Sequence, residues 1–140
     1  MALPNGAGGY QVGDGNLSEV QLGVQPAPVA LTATSNTLTA QQLTGGIITS
    51  TNASAVAITL PIVVTAGGVT GVNDVVSSAK TNSAFDVVII NLGSSSGEVT
   101  VGVGTGWTIV GTATVAINTS ARFLARKTSD TTYTLYRVAL

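Results

Sequence analysis

The chain of 140 residues has no cysteine and no histidine. Disulfides, thiolate metal sites, cysteine nucleophiles and imidazole general bases are therefore excluded from any account of what it does. Charge is scarce too. Asp, Glu, Lys and Arg make up 8% of the residues, against about 25% in an ordinary globular domain, and the net charge is -1. Such a near-neutral chain lacks the charge shell that keeps small domains apart, so association with other chains is expected. Aromatics are only 4%. No apolar run approaches the roughly 18 residues of a membrane-spanning helix, and the leader MALPNGAGGYQVGDGN lacks the basic region and apolar core of a signal peptide. A soluble product made in the cytoplasm of its producing cell, with no membrane partner, is the expectation.

What is abundant is Val, Ile, Thr, Ala and Gly. The β-branched residues favour pleated strands, and runs of them recur between turn signals roughly every 8 to 12 residues. Strand-like runs fall at 20–25, 29–34, 37–43, 46–50, 56–62, 85–92, 97–103, 107–111, 112–117, 122–128 and 132–138, with turns expected at Ser35-Asn36 and Ser129-Asp130. This predicts an all-β fold: an antiparallel β-sandwich, jelly-roll-like or a small barrel, of about ten short strands. Parallel α/β is not expected, and no repeat of about 20 to 50 residues stands out. Residues 63–82 are irregular, with a short helix expected near 73–79.

Two domains of behaviour follow. Residues 1–18 hold five of the 17 glycines and no apolar period, which reads as an extended arm, while 19–140 form the β domain. Ordering such an arm costs about 1–2 kcal/mol per residue, so another chain is expected to hold it. In the β domain FDVVIINL, 85–92, is apolar on both faces apart from Asp86 and Asn91. It is placed centrally between two layers, with Phe85, Val87 and Ile89 in the core. Trp107 and Ile109, from the stretch GTGWTIVG, read as core or interface anchors.

The search for chemistry finds little. The acidic residues are scattered without a motif, so no catalytic role and no cofactor are expected. Gly102 to Gly106, GVGTG, suggests a phosphate loop but lacks the GKS/GKT or βαβ context and reads as a hairpin turn. Asp14-Gly15-Asn16 resembles one edge of a calcium loop and lacks the later ligands. Arg122, Arg126, Lys127 and Arg137 make the C-terminal end basic, with Arg122 and Arg126 on one strand face. Without a stacking platform they point to hydrogen bonds with carbonyls and carboxylates rather than to nucleic acid.

Three blocks, GAGGYQVGDGNLSEV (6–20), SAFDVVIINLG (83–93) and GTGWTIVGTATVAINTSARFLARKTSDTTYTLYRVAL (104–140), resemble the tailed-bacteriophage head decoration or cement proteins, a group that includes head fibres. The resemblance implies a homotrimeric, non-catalytic virion protein on the outer capsid surface, clamping neighbouring capsomers, with the major capsid protein as its partner. Arm residues Tyr10, Gln11, Asp14 and Asn16 would then contact the capsid, the extended arm reaching up to about 60 Å. The alternative is a fibre or spike module binding a host glycan or receptor, with Trp107, Tyr133 and Tyr136 as exposed platforms.

Overall fold

The structure, a computed structural model, describes residues 23–65, 67–68 and 70–139. Ten strands and two short helices follow in chain order. They are β1 (Val29–Leu31), β2 (Ser35–Thr37), α1 (Ala40–Thr44), β3 (Ile47–Ser50), β4 (Val56–Thr59), α2 (Val72–Val75), β5 (Ala84–Asn91), β6 (Val99–Gly102), β7 (Trp107–Val110), β8 (Thr114–Val115), β9 (Thr119–Ser129) and β10 (Thr132–Ala139). They build a six-stranded sheet, in the order β1-β3-β5-β9-β10-β7, and a four-stranded sheet, β2-β4-β6-β8.

This corrects the expected all-β antiparallel architecture. Both sheets are mixed, and the molecule is mixed α/β: the pairs β1·β3, β3·β5, β2·β4, β4·β6 and β10·β7 are parallel, while β5·β9, β9·β10 and β6·β8 are antiparallel. The reason is that the chain changes sheet at almost every connection. Each of β1, β3 and β5 in the large sheet is followed by β2, β4 or β6 in the small one, so the first six strands stack as three rungs. Registers run straight through them, Val29 beside Ile48 beside Ile89 in one sheet and Asn36 beside Ile58 beside Val101 in the other. The step from the second rung to the third is about twice the first, because residues 60–83 with α2 are interposed. That inequality hides the repeat from a fixed-period search.

One core lies between the sheets. From the large sheet it takes Ile48, Val87, Ile89, Phe123, Ala125, Tyr133 and Leu135, and from the small one Val56, Ile58, Val99, Val101 and Val115, all buried. The period-two alternation puts these on the facing surfaces. Val103, at the end of the strand expected over 97–103, lies beyond β6 and is 56% exposed.

Of residues 37–43, read as a strand, only Thr37 lies in one, at the end of β2, and Ala40 onward form α1; Ser35-Asn36, read as a turn, lie in β2. Thr39 caps α1: its Oγ1 accepts from Gln42 N at 3.2 Å, and Gln42 Oε1 accepts from Thr39 N at 2.9 Å. Leu38 and Leu43 occupy the two staple positions flanking this box, and both are buried. α2 is shorter than expected and ends at Val75; Asp74 Oδ2 accepts from Gly71 N at 2.8 Å at its start.

GVGTG, read as a hairpin turn, is a crossing from the small sheet to the large one, since β6 and β7 do not pair. Gly104 passes so close to the Leu60 carbonyl that a Cβ would overlap it, and Gly106 has φ +92°. Only glycine fits both positions. Its carbonyls tie it to the body of the protein, with Val63 N donating to Thr105 O and Tyr133 N to Gly106 O.

Candidate functional site

The outer face of the six-stranded sheet follows from the same alternation that builds the core. Between the buried residues of β3, β5, β9 and β10 lie Ile47, Val88, Ile90, Leu124 and Tyr136, each half-buried, with Val110 of β7 at 48% exposure. The registers set them in rows: Ile47 beside Val88 beside Arg122, and Asp86 beside Leu124 beside Tyr136 beside Val110. The result is an apolar band that runs diagonally across five strands, from β3 to β7.

Polar groups frame it. The Arg122 guanidinium meets Asp86 at 2.9 Å, with both side chains about half exposed. Arg126 donates to Asn82 Oδ1 at 2.6 Å and to the Tyr136 hydroxyl at 3.3 Å. An exposed pair of this kind is worth about 0–1 kcal/mol, so it fixes geometry more than it stabilises.

The four basic residues of the C-terminal block disperse. Arg122 and Arg126 share the outer face, as their spacing predicted. Lys127 points inward, 7% exposed, and its Nζ donates to Ala79 O at 2.9 Å. Arg137 sits at the far end of β10 and donates to the carbonyls of Thr112 and Thr114.

Of the residues singled out in the sequence, Val87, Ile89 and Trp107 are buried in the core, with Phe85 and Ile109 packed against it. Trp107 Nε1 donates to Pro61 O at 2.7 Å, and its ring lies 5.3 Å from that of Tyr133. Tyr133 is 1% exposed. Two of the three aromatic platforms that a glycan site would use are thus inside the protein. Tyr10, Gln11, Asp14 and Asn16 lie outside the described residues, and so does the Asp14-Gly15-Asn16 fragment.

Among the described residues no group of three or more acidic side chains comes together to hold a metal. No described helix is long and apolar enough to cross a membrane. No protein-family model, curated protein or solved structure matches the chain. Function therefore has to be argued from this surface.

Sequence reasoning found Val88 and Ile90 as half of a two-sided strand, but missed Ile47, Leu124 and Val110 as their neighbours. Leu124 between Arg122 and Arg126 was the available signal: an apolar residue on an otherwise charged strand face.

Proposed function

We propose that the protein is a non-catalytic virion structural protein that acts by docking: a decoration or cement protein on the outer surface of a phage capsid. It associates with its own copies, as a homotrimer, and with the major capsid protein. The observation that carries this reading is β5. Strands that pair in parallel are ordinarily covered on both faces, and β5 carries apolar side chains on both, yet only Val87 and Ile89 are covered by the small sheet. Val88 and Ile90, with Ile47 and Leu124, form a second packing surface that another chain is suited to fill.

The N-terminal side supports the same reading. Val24, near the start of the described residues, is 99% exposed and so is free to pack on another chain. Spreading modest contacts over a sheet face and an arm suits a protein that bridges several subunits, since linked weak contacts gain avidity.

The test is a pair of variants assayed on capsids that lack the protein. Ile90→Lys changes only the outer face and should leave the thermal midpoint within a few degrees, while lowering capsid occupancy or trimer stability at least tenfold. Removing residues 1–18 should abolish capsid binding with the β domain still folded. Full occupancy by both variants would overturn the assignment.

A further inference from the structure

The geometry points to a second binding site: a carboxylate-binding cleft at the end of the molecule where β8 and β10 face each other across the two sheets, with Arg137 as its anchor. Two separate cavities stand out among the described residues, one of about 390 Å³ beside α2 and one of about 310 Å³ at this end, and the smaller is lined by Thr112, Thr114, Ala116, Thr119 and Arg137. The larger is lined by Val75, Val76, Ala79 and Phe85, with Ser78, Ser83 and Tyr133 as its hydroxyl-bearing residues and no charged side chain. The smaller contains a positioned cation.

Arg137 is held from two sides. Its Nη1 donates to the carbonyls of Thr112 and Thr114, and its guanidinium carbon lies 5.8 Å from the centre of the Phe123 ring, whose residue is its partner in the β9·β10 register. One nitrogen is therefore committed to the protein. The opposite edge, Nε–H and Nη2, meets no acceptor among the described residues, and no carboxylate there pairs with this arginine. That edge is a planar fork of parallel N–H groups, which matches the two oxygens of a carboxylate.

The surroundings fit the same ligand. The Thr112 and Thr114 hydroxyls make no hydrogen bond within the described residues and can donate, while Thr119 Oγ1 is already committed to Ala116 O at 2.7 Å. A guanidinium fixed by carbonyls and an aromatic ring loses little freedom when it binds, so the interaction is pre-organised. The ligand class is a carboxylate, either an acidic side chain or terminus of a protein chain or a free small carboxylate. The inference does not depend on the capsid reading.

The experiment is a titration of the full-length ¹⁵N-labelled protein, followed at the Arg137 Nε–H resonance and the Thr112 and Thr114 amides. Sodium acetate is compared with sodium chloride at matched ionic strength, and with a capped Gly-Glu-Gly peptide. Acetate should give a saturable shift with a dissociation constant of about 1–10 mM, and chloride none. A peptide that saturates at about tenfold lower concentration identifies a protein carboxylate as the source; equal or weaker binding identifies a free anion. Arg137→Lys keeps the charge but loses the fork, and should weaken acetate about tenfold. Thr112→Val keeps the anchoring carbonyl and should weaken it about threefold, which keeps the test usable if the lysine variant does not fold. No shift by about 100 mM acetate, an equal shift with chloride, or unchanged affinity in the folded variants overturns the site.

Discussion

The three-rung half of the molecule and the antiparallel half are built from similar residues but are held in different ways. In the rungs, strands that apart from β5 have only three or four residues are set by the loops that carry the chain between sheets. Asn91 shows how: buried at the end of β5, its Nδ2 donates to Gly97 O at 2.8 Å and to Val115 O at 2.9 Å, while Oδ1 accepts from Gly93 N at 2.9 Å. Asn52 acts similarly on the second rung, donating to Thr32 O at 3.1 Å. In the other half, β9 and β10 are long strands joined by a tight turn at residues 130–131, and their stability comes from Phe123, Tyr133, Leu135 and the ring of Trp107. Polar staples set one half and apolar volume sets the other.

The largest expected effect tests the apolar half. Phe123 is fully buried in the middle of β9, so Phe123→Ala removes a ring from the centre of the core and should cost about 3–5 kcal/mol. For a domain of this size that lowers the thermal midpoint by about 10 °C or more. A loss under about 1 kcal/mol would mean that the core can close around the cavity and that the hairpin is not the main source of stability.

Asn91→Ala should cost about 3 kcal/mol, because it strands two carbonyls and an N–H that are buried with it. Its sharper readout is where the damage falls. Hydrogen exchange should accelerate first in β3, β4 and β6, while the amides shared by β9 and β10 keep their protection. Uniform loss across both halves would show that the two are one cooperative unit and that the contrast drawn between them is only geometric.

The same contrast explains what was legible in the sequence. The β9·β10 hairpin was readable from alternation and the Ser129-Asp130 signal because its contacts are local. β3, β4, β5 and β6 were found as strands, and Val87, Ile89 and Trp107 as core, since burial follows period two whatever the strand direction. Direction itself was not legible. Turn signals such as Asn52-Ala53-Ser54 serve equally for a hairpin or for a crossing to the opposite sheet, and only the layer in which the next strand lands makes the pairing parallel. α1 was legible and missed: Thr39-Ala40-Gln41-Gln42 is a capping box flanked by Leu38 and Leu43, overlooked because threonines on either side read as strand. Of the candidate surface, Arg122 and Arg126 sharing a face was legible, whereas the rows that join Ile47 to Val88 and Leu124 to Tyr136 needed the register.

The smallest effect has the opposite sign and lies where the two halves meet. Tyr133 packs at a tilt against Trp107 and Phe85, and its hydroxyl is buried with no hydrogen-bond partner among the described residues. Tyr133→Phe keeps the ring and deletes the unpaired group, so stability at pH 7 should stay level or rise by up to about 1 kcal/mol. Burial also pushes the Tyr133 phenol above its ordinary value of 10.0. The unfolded chain releases this proton near pH 10 while the folded protein still holds it. The stability linked to the group is therefore complete below pH 10 and is lost as pH rises toward the folded value. Chemical denaturation of both proteins from pH 7 to pH 11 should show the gap between them widening only above pH 10, in favour of Phe. Destabilisation by Phe at pH 7 of 1 kcal/mol or more would mean that the hydroxyl is paired in solution, and that the junction between the halves is held by a polar contact like those of the rungs.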